Sequence, residues 1–207
     1  MDNSAAILFG AKSLMPGGLG RTVLRVTGDN SQQYLRLLDT PLPAEIGPTA
    51  RDGTRPAAEL DAELERLSFA AGFSPQRRQL VRALVLLWHD HLNESHSIAQ
   101  GIENADGSYV HAIMHRREPD YWNAKYWFRR VGKHPAFGKV AQRVEELLEE
   151  RGAGELRRKL LPRGGWDAFA FVDACENGEG GCELLREVQK IEFIALLEHF
   201  LDDDTTP

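Results

Sequence analysis

Between Trp88 and Pro135 the chain gathers six of its seven histidines, three of its four tryptophans and three of its four tyrosines. Imidazoles that titrate near neutrality, large π-faces and guanidinium forks are expensive to bury together. Their concentration marks the place where a ligand or a reaction should be sought. His111 and His115 stand four residues apart, so on a helix they share a face. His89, Asn93, His96 and Gln100 advance by four, three and four, which puts them on one side of a preceding helix. The expected site is a polar pocket between these two faces.

Three chemistries suit these residues. The first is a metal site, in which His111 and His115 reach one ion and His96 supplies a third imidazole; zinc or another divalent metal is the cofactor admitted, though nothing in the sequence requires one. The glutamate that follows the first histidine in a helical metalloprotease motif is absent, because that position is Ala112. His89-Asp90 has the form of the dipeptide used by metal phosphohydrolases, but no histidine precedes it. The second is acid–base catalysis by His96 or His115, poised by Glu94, Glu118 or Asp120.

The third is binding without turnover. Here Arg116, Arg117 and Arg129 clamp a carboxylate or phosphate while Tyr121, Trp122, Tyr126 or Trp127 stacks on a planar group. His89, Gln100, His111, Asp120 and Asn123 complete the lining. Arg116 and Arg117 are then surface residues whose removal costs little stability. Gln189 and Glu192, one turn apart near the C-terminus, are placed to orient a histidine. The competing explanation is structural: histidines at helix contacts often bond a carbonyl or a carboxylate, and Trp88, Phe128 and Trp166 fit a core. His91 and His134 are expected on the surface, and His199 at a helix C-terminus, where the dipole favours it.

The leading expectation is a protein that binds a small anionic molecule, aromatic or sugar-bearing. The alternatives are a histidine-dependent, metal-assisted hydrolase and a helical protein-interaction adaptor. Charge supports the anion: His111–His134 carries a net +4 on a chain of net −6, leaving −10 elsewhere. Such a surface repels nucleic acid but still attracts a small anion locally. No apolar run approaches the roughly 20 residues of a membrane helix, and the start lacks the basic and apolar regions of a secretory signal. These features, with two cysteines expected as reduced thiols (Cys175 and Cys182), point to the cytoplasm. A homo-oligomer is left open.

The elements that must position the site read as all-α. Residues 1–56, rich in proline and glycine, form an irregular arm packed on a helical body over 57–204, within a single domain 1–207. Apolar runs at Ala5–Phe9 and Val23–Val26 suggest minor strands, residues 31–38 a short helix, and Gly17–Gly20 a plain turn. Helical periodicity then predicts helices near 57–71, 75–102, 107–117, 119–131, 137–151, 154–161, 165–175 and 181–201. The long second helix starts at Ser74-Pro75, and Glu118 caps the fourth.

The hairpin over 107–134 has a tetratricopeptide look, with Asp120-Tyr121, Ala124, Phe128 and Pro135, although no second copy follows. The block His111–Pro135, together with Glu94–Gln100 and Trp166–Asp173, resembles a group of uncharacterised bacterial and fungal proteins. It covers about a third of the chain. The resemblance brings no activity and no catalytic residues with it.

Overall fold

The computed structural model describes residues 28–202, and among these there are ten α-helices and no strand. They are α1 (Gly28–Leu35), α2 (Ala57–Ala71), α3 (Pro75–Trp88), α4 (Leu92–Ala99), α5 (Ala105–Arg117), α6 (Tyr121–Val131), α7 (Ala136–Glu150), α8 (Gly154–Leu160), α9 (Ala168–Asn177) and α10 (Cys182–Leu201). The strands expected at Ala5–Phe9 and Val23–Val26 and the turn at Gly17–Gly20 lie outside the described residues. One apolar cluster runs from Tyr34 to Leu201, with Tyr34, Leu37, Leu38 and Ala44 of the arm inside it.

Local signals account for several helix ends. The Ser74 hydroxyl accepts the Arg77 N–H and Pro75 takes the first helical position of α3, where its missing N–H removes no hydrogen bond. Asn104 and Asp167 cap α5 and α9 in the same way. In α2, Leu60, Leu64 and Leu67 turn inward, as do Val140, Val144 and Leu148 in α7.

The expected helix over 75–102 is in fact two helices, α3 and α4. His91 N–H donates to Leu86 O and Asp90 N–H to Leu87 O, the pair of bonds that closes a helix when the next residue turns left-handed. Glycine usually takes that position, yet here it is Asp90, at φ +68°. What holds Asp90 there is its carboxylate. It accepts the Arg51 backbone N–H and Nε–H, both at 2.9 Å, and Arg117 Nη2–H at 2.7 Å. A second boundary also shifts: α6 starts at Tyr121 and is capped by Asp120, whose carboxylate accepts the Asn123 N–H, so Glu118 stays in the turn.

Helix α5 is buried on every side from Gly107 to Arg117, between α3, α4 and α6. Gly107 is needed for this packing, because a Cβ there would sit 2.2 Å from Ile102 O. Burial extends to Arg116 and Arg117, both 0% exposed. This corrects their expected role as a ligand clamp on the surface. Arg116 Nη2 donates to Glu192 Oε2 at 2.5 Å and to Gln189 Oε1 at 3.2 Å, and its guanidinium lies on the Phe171 ring. Tyr109 OH donates to Glu192 Oε1. Gln189 and Glu192 therefore hold an arginine and not a histidine. Arg117 donates to the Glu45, Leu87 and Gly47 carbonyls besides Asp90.

The arm between 39 and 56 has no helix or strand to pair its backbone groups, and buried groups of that kind must find other partners. Arg117, Arg51 and Gln189 supply them, with Gln189 Nε2 donating to the Ala44 and Glu45 carbonyls.

Removing one member of a buried ion pair leaves the other charge uncompensated, which costs about 3–5 kcal/mol. Glu192→Ala and Arg116→Met should each lose stability on that scale in urea denaturation. The double variant Arg116→Met/Glu192→Leu should lose much less than the sum of the two. Strictly additive losses would show that the pair does not act as a unit.

Candidate functional site

Three histidines converge. His96 on α4 and His111 and His115 on α5 place their ligating nitrogens within 4.8 Å of one another. His111 Nε2 and His115 Nε2 are 3.0 Å apart, and the two rings stack at 4.7 Å. The His96 ring lies 4.7 Å from His111 and 5.2 Å from His115. The i, i+4 spacing on α5 produces the first pair. The break after α3 lets α4 turn and present His96 to them.

His115 is oriented by the α5–α6 turn. Its Nδ1 faces Glu118 at 3.4 Å and Asp120 at 3.9 Å. Two carboxylates on that side favour the tautomer with the proton on Nδ1, which leaves the Nε2 lone pair free. His111 Nε2 lies 3.0 Å from it, and the Asn123 amide nitrogen lies beside the ring, 3.1 Å from Nε2 and 3.4 Å from Nδ1. His111 Nδ1 is buried with no hydrogen-bond partner among the described residues. Burial, and then the neighbouring His115 and His96, push the His111 pKa down to about 3. Burial and His96 also lower His115, against a smaller opposing pull from Glu118 and Asp120. Both imidazoles are thus neutral at pH 7, the form that binds metal ions.

Round an ion held at about 2.1 Å, ligand nitrogens stand roughly 3.0–3.4 Å apart. The His111–His115 separation already fits. His96 would close the rest by up to about 1.5 Å, a movement open to a half-buried side chain at the rim.

Other residues expected at the site are elsewhere. His89 is buried; its Nδ1 accepts the Arg55 N–H and its Nε2–H donates to Leu37 O at 2.7 Å, so it ties the arm to α3. His91 bonds Arg55 O. Gln100 is exposed at the end of α4, because the helix break takes it out of line with His89. Tyr121 packs against the core, where burial and then the nearby Cys175 raise its pKa. Arg129 is exposed on α6. Tyr126, 40% exposed, stands at the rim with its ring edge-on to Trp127. A cleft of about 710 Å³ lined by Phe128, Phe137, Trp166 and Phe169 contains none of the three histidines.

Two residues of α6 stand beside the site: Trp127, offered by the sequence as one of four stacking aromatics, and Arg130, which the sequence did not single out. Trp127 packs on His111 at 4.0 Å, and the Arg130 guanidinium lies over the Trp127 ring, 5.3 Å from its centroid. The signal was present: Asn123, Trp127 and Arg130 follow i, i+4, i+7 on α6.

A second triad has similar composition and a different logic. His134 Nε2–H and His199 Nε2–H both donate to Asp106 Oδ1, at 2.9 and 3.0 Å. His134 Nδ1 accepts the Ala136 N–H, so its proton must be on Nε2, and no lone pair there is free for a metal. His134 is buried at 5% exposure, not on the surface as expected. The triad is a clamp joining α5, the α6–α7 connection and α10.

Burial raises the Asp106 pKa, but the two imidazole donors outweigh it and hold the carboxyl well below its usual range. A carboxyl with a lower pKa in the fold stabilises it above the unfolded value, near 3.9, and that contribution fades as pH falls further. Asp106→Asn should therefore lose about 1–3 kcal/mol at pH 7. It should also show a shallower fall in stability below about pH 4, read by urea titrations at pH 7 and 3. Parallel wild-type and variant profiles would place the acid-labile group elsewhere.

Comparison of the chain with family models, with curated proteins and with solved structures gives no match.

Proposed function

We propose that His96, His111 and His115 form a divalent-metal centre of the catalytic type and that the protein uses it for hydrolysis of a small molecule. The observation that carries this is the convergence of three imidazoles, with His111 Nε2 and His115 Nε2 3.0 Å apart and the ligating nitrogens of all three within 4.8 Å of one another. A buried polar cluster of this kind is costly unless something satisfies it. Three neutral imidazoles suit zinc and its borderline neighbours better than magnesium or calcium, which prefer oxygen. Three protein ligands leave a position open, as in catalytic sites, whereas structural sites use four.

A metal held there would act as a Lewis acid and bring a bound water's pKa near neutrality. The chain's own residues do the rest. Glu118, 3.4 Å from His115 Nδ1, accepts its N–H and orients the ring, with the Asp120 carboxylate beyond it at 3.9 Å. Asp120, 49% exposed at its side chain, keeps one carboxylate oxygen toward His115 and is the proton acceptor closest to solvent. Asn123 offers its amide to a bound group. Trp127 screens His111 from water. The reading without turnover loses two of its three clamping arginines to the core. For an adaptor, no observation at the triad speaks.

Purified protein should carry about one divalent ion per chain by elemental analysis. Chelation should lower its melting temperature, since an ion that binds only the folded state stabilises it. His111→Ala should lose the ion. Metal-dependent cleavage of ester, amide or phosphoester probes should disappear in His115→Ala. Metal-free protein with chelator-insensitive melting would sink the proposal, and a bound ion without turnover of any probe would reduce the centre to binding.

A further inference from the structure

We infer that Arg130 selects the substrate of this centre, and that the substrate is a small molecule bearing an oxyanion a few bonds from the scissile bond. The inference rests on the metal reading above. The arginines that the sequence offered as an anion clamp are committed to the core, Arg116 to Glu192 and Arg117 to Asp90. Arg130 is exposed and has no ion pair among the described residues. Its guanidinium lies over Trp127, the ring that packs on His111.

Helix geometry gives the distance. Asn123, which touches His115, Trp127, which touches His111, and Arg130 lie along one strip of α6. Each residue rises about 1.5 Å, so Arg130 stands one turn, about 5 Å, beyond the His111 contact. The carboxylates Glu118 and Asp120 stand at the opposite end of the strip, beside His115. A bound molecule thus meets proton acceptors at one end and a cation at the other. The stacked guanidinium is pre-oriented, and its planar fork suits a carboxylate or phosphate oxygen pair. An oxyanion in contact with the metal itself would not reach Arg130; one separated from the reacting group by two to four bonds would.

Three hydroxamates that share a metal-binding head separate these ideas on zinc-loaded protein: acetohydroxamate, succinate monohydroxamate and phosphonoacetohydroxamate. By calorimetry, wild type should bind an anion-bearing probe at least tenfold more tightly than acetohydroxamate, a typical effect of one charge-assisted contact. The preferred probe identifies the oxyanion as carboxylate or phosphate. Arg130→Ala should keep its zinc and its affinity for acetohydroxamate but lose the preference. Arg130→Lys should keep part of it, and Arg129→Ala all of it. Zinc-loaded wild type without any preference, a preference that survives Arg130→Ala, or its loss in Arg129→Ala would overturn the inference and leave the centre standing. A wild type that takes up no zinc would overturn the centre, and this inference with it.

Discussion

The rest of the structure depends on the burial of two consecutive arginines at the end of α5. A guanidinium is always charged at accessible pH, so Arg116 and Arg117 can enter the core only if carboxylates and carbonyls come with them. Glu192 comes from α10, Asp90 from the break between α3 and α4, and the carbonyls from the arm. Each partner lies far away in sequence. Meeting all of them fixes the rotation and depth of α5 against three other parts of the chain. An apolar core would tolerate sliding that this arrangement does not.

The histidine site inherits that register. His111 and His115 lie on the same rigid helix, one of them next to Arg116, so they cannot turn without breaking the arginine contacts. Asp90 links the other half of the site to the same network, since the turn it closes is what points α4, and with it His96, toward α5. A reacting centre is effective only when its groups are held by supports that are themselves locked. Here the support is electrostatic on one side and aromatic on the other, where Trp127 packs on His111.

Much of this was legible in the chain. Apolar periodicity located helices such as α2 and α7 to within a residue or two, Ser74-Pro75 located the start of α3, and the four-residue spacing of His111 and His115 located their shared face. What sequence could not supply was the choice of partner. Arginine next to histidine reads as a surface patch, because charged residues are seldom fully buried unless paired, and the pairing carboxylates Asp90 and Glu192 are 27 and 76 residues away in one or other direction. The break at 89–91 carries no glycine or proline, so nothing local announces it. Trp127 was one of four aromatics offered for stacking and Arg130 one of two arginines on α6, and only the packing of Trp127 on His111 and of Arg130 over Trp127 singles the two out. His134, expected on the surface, is buried because Asp106 sits where it can accept its proton.

Asp90 has an unusual position in sequence space. Judged by its backbone alone, the left-handed turn after α3 is a glycine site, and a redesign that idealised each helix end in isolation would place glycine there. That change would relax the chain locally and empty the junction where Arg51 and Arg117 meet. The residue that suits the turn least is the one that lets the arm, the central helix and the helix bearing His96 share a single anchor. Sequences that drift toward the local optimum at this position would keep their helices and lose the alignment among them.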